Sequence, residues 1–519
     1  MDGIELSLFT SRIQAICNEM GVVLKRSAFS PNIKDRLDFS CALFDRDGLL
    51  FGQAAHIPVH LGSMAYAMHD VVARFAWQPD DLVALNDPFL GGTHLPDVTV
   101  VSPVFAEDEL IAFAACRAHH ANIGSDRPGS MPVSSRLEEE GVVIPPTLAV
   151  RGGALTIPFR GVLDAISRRA HASEQSYRAD PELGDFFAQL SSARLGVRRV
   201  TELTAALGAA RLLDGIAAVD RYAERLAGSA FTAIPHGRYQ FADAMDDDGF
   251  GSGPVHIRVV LTIDAEGAVA DFSGSDPQVA GNINCPRSVL AAATYYVFRC
   301  LMPPETPGAA GAFRPIRIVS RPGTLVDAEG PAAVAAGNVE TSQRIVDVLL
   351  GALAAALPER VPAASQGTMN NVAMGARGNG ASWDYYETVA GGTGAHARGN
   401  GVSGIHSHMT NTLNTPIESL ETHYPLRVTR YEVRRGSGGS GRHRGGDGIV
   451  RELEFLARTE VTLLTERRAT APWGLAGGAA GAPGRNRLNG STVAGKASFS
   501  AEPGDRLCIE TPGGGGWGQ

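Results

Sequence analysis

The chain has 519 residues, 44% of them hydrophobic and 19% charged, and its 46 Lys and Arg against 55 Asp and Glu leave a formal net charge of −9. That composition excludes an intrinsically disordered chain. The acidic balance, with a pI near 5.9, excludes the basic footprint of a nucleic-acid or anionic-membrane binder. Glycine is the outlier: 61 residues without a collagen-like period predict many tight turns and loops. Only Lys25, Lys34 and Lys496 are lysines, so any lysine chemistry has three candidates. Six scattered cysteines (Cys17, Cys41, Cys116, Cys285, Cys300 and Cys508) form no C-x-x-C pair. They read as reduced, mostly buried thiols rather than a zinc ribbon, redox dithiol or disulfide framework.

The N-terminus carries early acids and the stripe Ile4, Leu8, Ile13, Ile16, Met20, Val23, which predicts an amphipathic opening helix and not a signal peptide. Residues 39–44 and 49–52 flank Asp45-Arg46-Asp47-Gly48, a hairpin signal. His56 and His60 flank Ile57-Pro58-Val59 in a segment read as a loop. Strands are expected at 98–105 and 110–117, and one or two long helices over 180–228. Beyond a boundary near Ile234, residues 256–263 and 268–273 read as a second hairpin, 289–300 and 342–356 as helices. After Pro358 short strands and long loops take over, with strands at 424–434, 448–456 and 461–466. The expected fold class is α+β and multidomain, with interleaved β-rich units in three parts: 1–233, 234–357 and 358–519. The longest strongly apolar stretch, 348–357, is shorter than the ~20 residues a bilayer span needs, so a cytoplasmic protein without a membrane partner is expected.

The most informative segment runs from Asn86 to Asp97, a Gly/Pro-punctuated loop that delivers His94 and Asp97 just before a strand. An imidazole and a carboxylate three positions apart across a turn can converge on one divalent cation. The following strand runs out into His119-His120. Extended backbone points neighbours to opposite faces, so only one of the two can face such a centre directly, and the other is a general base or a supporting group. Asp38, at the start of the first hairpin, is a possible fourth ligand. Each of these residues taken alone also suits an ordinary hydrogen-bonded or turn position. His56 and His60 can line the same cleft. A second polar cluster holds His396, Asn400, His406, His408, Asn411 and Asn414. His406-Ser407-His408 is an H-x-H pair, but too little chain follows for the further β/α units of a barrel-type amidohydrolase. The cluster is kept as a substrate-binding candidate through His406 and His408.

Two glycine motifs read as decoys. The run from Gly490 to Lys496 satisfies G-x-x-x-x-G-K but lacks the following Ser/Thr and a strand-to-helix context. The Gly436 to Gly441 run has strands predicted on both sides and no helix dipole, and reads as a flexible loop gating a cleft or touching a partner. Neither makes an ATP site. The tail from Pro512 to Gly518 is glycine-rich, with Trp517 placed to dock it.

Together, the 38–45 strand, the 86–97 loop, His119-His120, Asn282-Ile-Asn284-Cys-Pro286, Gly337-Asn-Val-Glu-Thr341 and the closing glycine run resemble the hydantoinase B/oxoprolinase family over nearly the whole chain. The resemblance implies one divalent metal, zinc or manganese, held by Asp38, His94, Asp97 and His119, with His120 as the proton-shuttling base. Here Ala121-Asn122 follows the paired histidines, where the family often has an aspartate. It also implies a partner A subunit, actin-like, that binds ATP and phosphorylates a lactam or hydantoin, in a heterotetramer with two copies of each chain. The expected activity is ATP-dependent cyclic-amide hydrolysis. The alternatives are the large subunit of a ketone carboxylase and a scaffold that only stabilises an A subunit.

Overall fold

The computed structural model describes residues 1–54, 56–170, 181–377 and 382–519. Helices and strands alternate through four sheets, an α+β architecture. The opening helix, Gly3–Ser27, starts on a capping box in which Asp2 accepts from the Ile4 and Glu5 amides and Glu5 reaches back to the Asp2 amide. The first hairpin pairs Phe39–Asp45 with Leu50–Gln53. Asp45 Oδ1 accepts from the Asp47 and Leu49 amides across the turn.

These strands belong to an antiparallel seven-stranded sheet. Its order is Leu50–Gln53, Phe39–Asp45, Glu109–His119, Asp97–Ala106, Leu82–Leu85, Thr147–Arg151, Ala154–Leu155. Both faces are buried, which is why the central strands read as nearly continuous apolar runs. On one face Cys41, Leu43, Val98, Val100, Ala114 and Cys116 join the helices Gly3–Ser27 and Pro181–Leu207 in the main core. On the other, Ala42, Phe44, Val101, Phe113 and Ala115 pack on Met64, Met68 and Val71 of the helix Pro58–Val72. This helix corrects the loop expected around His56 and His60: Pro58 sits at its first turn, where a missing N–H costs nothing. Of the long helical stretch expected after residue 180, residue 180 itself lies outside the described residues; Pro181–Leu207 and Ala209–Thr232 are the helices that follow.

A four-stranded sheet of Ile316–Val319, Gly267–Asp271, Val255–Asp264 and Gly237–Met245 carries the helix Ser342–Ala356. Two further sheets sandwich a third core of Val372, Met374, Leu453, Phe455, Leu463 and Ile509. No sheet mixes strands from before and after 234 or 358, yet the main core runs from Phe9 to Leu464.

The glycine runs are not flexible loops. The Gly439 amide donates to the Gly514 carbonyl, Gly514 to Gly446, Gly515 to Ala364 and Gly516 to Ala479, so several extended segments bond side by side. A Cβ on Gly514 would collide with the Thr393 carbonyl, and one on Gly438 with the Gly445 carbonyl. Glycine is needed there because backbones touch. Trp517 closes the bundle: its backbone exchanges hydrogen bonds with His443, and its indole donates to the Pro358 carbonyl at 3.3 Å.

Candidate metal centre

The loop before Asp97–Ala106 is pinned by Asn86, whose side chain donates to the Leu95 and Val142 carbonyls and accepts from the Ile144 amide. It closes on a turn in which the Asp97 amide donates to the His94 carbonyl at 3.1 Å. Asp97 pairs directly with His119 on the neighbouring strand. On that strand's far side the His119 amide donates to the Asp38 carbonyl. Sheet register thus brings three distant segments to one point, on the face covered by Pro58–Val72.

His94 Nε2 lies 3.1 Å and His119 Nδ1 3.2 Å from Asp97 Oδ1. Donors sharing one zinc at about 2.0–2.1 Å sit roughly 3.0–3.4 Å apart, so the spacing fits a shared ion. Among the described residues, His94, Asp97 and His119 form the one group of three such side chains whose ligand atoms all lie within 4.8 Å of one another. All three are buried. His94 Nδ1 faces the Ala335 carbonyl at 3.2 Å; a carbonyl only accepts, so Nδ1 carries the hydrogen and Nε2 the lone pair. The Nε2 atoms of both His94 and His119 are buried without a hydrogen-bond partner, which a bound cation would explain. Thr93 Oγ1 and Asn338 Nδ2 donate to Asp97 Oδ2, at 2.7 and 3.1 Å, leaving Oδ1 as the oxygen turned to the two imidazoles. The His119 ring stacks on Tyr386, 4.8 Å away and 11° from parallel, and Tyr386 donates to Asn371.

Burial opposes ionisation of Asp97, but His94, His60 and His119 outweigh it and hold the carboxyl well below the usual range. Burial likewise opposes protonation of His94, and Asp97 overrides it upward. For His119 burial prevails and lowers it. The centre is thus built around a carboxylate.

The other expected site residues scatter. Asp38 and His60 border the same gap: His60 Nε2 is 3.2 Å from Asp97 Oδ2 and 3.9 Å from Asp38 Oδ1. Asp38 also lies 3.7 Å from Arg36. His120 points through the sheet to the opposite face, where Nε2 meets Gln189 Oε1 at 2.8 Å, so it does not reach the cluster. His56 accepts from the Cys41 amide and packs against Phe39 and the Gly21 backbone. Burial, then His60, lowers its imidazole to about 4. The H-x-H pair separates. His408, at φ +59°, turns to the Tyr296 hydroxyl at 3.4 Å. Both His406 nitrogens are buried and unpartnered, and its imidazole is lowered to about 4 by burial and then Arg36. Thr93, Asn338 and Tyr386 were not singled out from sequence. Thr93 stands beside His94, and Asn338 lies in the Gly337-to-Thr341 motif, which reads as an ordinary helix entry.

The gap bounded by Asp38, His60, Asp97, His119, Asn338, Tyr386 and Thr410 holds about 20 Å³ of space, room for one water or ion.

The model of the family described as Hydantoinase B/oxoprolinase matches residues 2–519. The chain belongs to this family. It is 38% identical to the 5-oxoprolinase of Dictyostelium discoideum over 537 residues, covering all of this chain but 40% of that protein. It is 31% identical to the B subunit of a putative D-/L-hydantoinase from a Pseudomonas species, over 91% of this chain and 81% of the relative. This member of the family thus spans about two fifths of the 5-oxoprolinase it matches and most of the separate hydantoinase chain. Among solved structures, the ATP-dependent caprolactamase of Pseudomonas jessenii superimposes with a TM-score of 0.91 at 26% identity, over all of this chain and 91% of that one. An acetone carboxylase shares the fold, with a TM-score of 0.86 at 17% identity, over all of this chain and 76% of that one. Among the described residues, no helix is long and apolar enough to cross a membrane.

Proposed function

We propose that this chain is the metal-bearing component of an ATP-dependent hydrolase of cyclic amides, opening a lactam or hydantoin ring. The observation that carries the reading is the buried His94, Asp97 and His119 cluster with its unpartnered imidazole nitrogens, in a family whose relatives include 5-oxoprolinase and caprolactamase. The partner is an A-type chain that uses ATP to activate the ring carbonyl, which the ring nitrogen otherwise makes a poor electrophile. The naming of the Pseudomonas relative as one of two components, and the longer single chain of the 5-oxoprolinase, support such a division.

His94, Asp97 and His119 would hold the ion, zinc or manganese, with Asp38 at the border of the gap as the remaining protein ligand. A divalent ion there supplies Lewis acidity, lowering the pKa of a water toward about 7 in favourable zinc sites. Thr93 and Asn338 hold Asp97 in its ionised orientation. His60, with Nε2 between Asp97 and Asp38, takes the proton-handling place that His120 cannot reach. His406, with both nitrogens free and Arg36 and Asp38 nearby, offers hydrogen bonds to the ring amide.

The test is reconstitution with the A-type partner, ATP and a panel of lactams and hydantoins. Wild-type protein should hydrolyse at least one ring without bicarbonate. His94→Ala should lose metal and hydrolysis while leaving partner ATPase largely intact; turnover retained without metal contradicts the assignment. ATP use that requires bicarbonate points instead to a carboxylase.

A further inference from the structure

Glu140 ends a short helical turn, Leu137–Glu140, and is completely buried. One of its oxygens does unusual work. Oε1 accepts from the Val334 amide at 2.8 Å, the Ala335 amide at 3.0 Å and the Ser134 hydroxyl at 2.8 Å. Oε2 is buried with no hydrogen-bond partner. A carboxyl so placed is costly to bury, and what it secures is the backbone of residues 334 and 335, far away in sequence. The Ala335 carbonyl is the group that faces His94 Nδ1. The same segment continues through the Ala336 and Gly337 amides, both bonded to the Asn282 carbonyl, to Asn338, whose side chain donates to Asp97.

We propose that Glu140 is a positioning residue for His94, acting through the Ala335 peptide to keep the Nε2 lone pair turned toward Asp97 and the ion. The arrangement is a carboxylate and histidine pair with one peptide unit inserted between them, in place of the direct carboxylate partner that metal-bound histidines commonly use. The proposal rests on the reading of His94 as a metal ligand. Burial pushes the Glu140 carboxyl up to about 7, so near neutrality its role is that of an acceptor oxygen rather than a fixed charge. Glutamine, which keeps that oxygen, should substitute for it; methionine, which fills the space without an acceptor, should not.

The experiment compares wild type, Glu140→Gln and Glu140→Met. Histidine ¹⁵N NMR on metal-free protein, with His94 assigned by its loss in His94→Ala, reads the tautomer. Zinc titration reads affinity. Wild type and Glu140→Gln should both show the Nδ1–H tautomer and agree in zinc affinity to about threefold. Glu140→Met should show mixed tautomers and bind zinc about 10–100-fold more weakly, the usual effect of losing an outer partner. A folded Glu140→Met protein with the wild-type tautomer and affinity overturns the proposal. So does metal-free wild type, or Glu140→Gln, with the proton on Nε2; these two proteins decide the matter even if Glu140→Met does not fold. If wild type binds no zinc, the metal reading fails, while the tautomer comparison still reports whether Glu140 acts on His94.

Discussion

Asp97 meets two imidazoles at Oδ1 and three groups at Oδ2, from Thr93, Asn338 and His60. That division predicts graded outcomes. His94→Ala or His119→Ala should abolish stoichiometric metal, read by elemental analysis. Asn338→Ala should weaken metal binding about 10–100-fold without abolishing it. His120→Ala should leave metal content unchanged and lower stability by about 1–3 kcal/mol, because it orphans the buried Gln189 oxygen. The loop motif and the spacing of histidines were legible in the sequence. Which of His119 and His120 faces the centre was not: alternation limits the choice to one, but only the pairing of Asp97 with His119 across the strands makes it. His60 and Asn338 were illegible as partners of Asp97 because their contacts depend on how Pro58–Val72 and residues 337–341 pack.

At the scale of elements, the strands that build the site were readable because apolar runs and a turn signal mark them. The helix Pro58–Val72 was missed: it packs against the sheet on one side and the helix Arg287–Leu301 on another, which blurs a one-faced stripe. The glycine runs were misread because glycine signals freedom in a sequence and close backbone approach in this fold. Gly514→Ala should therefore destabilise the protein measurably in thermal unfolding, since the added methyl meets the Thr393 carbonyl; an unchanged Tm contradicts the packing role. The segment Met409 to Thr412 covers a gap of about 20 Å³. That is too small for a lactam ring, so a substrate-bound structure should show these residues displaced.

Across the whole molecule, a buried charge network joins the middle sheet to the C-terminal ones. Lys496 Nζ pairs with Glu466 Oε1 at 2.5 Å; Arg344 reaches Glu466 and Asp243; Arg467 binds Asp243 and Asp347. The lysine of the apparent phosphate-loop motif is thus an internal ion-pair partner. Lys496→Met should cost about 3–5 kcal/mol by leaving Glu466 uncompensated, read by denaturant unfolding. Glu340, beside this network, is pushed up to about 8, by burial first and then by Glu466. Between roughly pH 4.5 and 8 the folded chain keeps a proton that the unfolded chain releases, so this group's contribution to stability is lost as pH rises through that window. Glu340→Gln should flatten the fall, gaining on the order of 2–4 kcal/mol relative to wild type between pH 5 and 8.

The account stands on one ion shared by three side chains from two strands and a loop. Diffraction data from zinc-loaded crystals, collected at the metal absorption edge, test it most directly. The account predicts a single strong anomalous peak within about 2.0–2.2 Å of donors from His94, Asp97 and His119. Zinc-loaded crystals with no peak between these residues, or with the metal bound elsewhere, would contradict it.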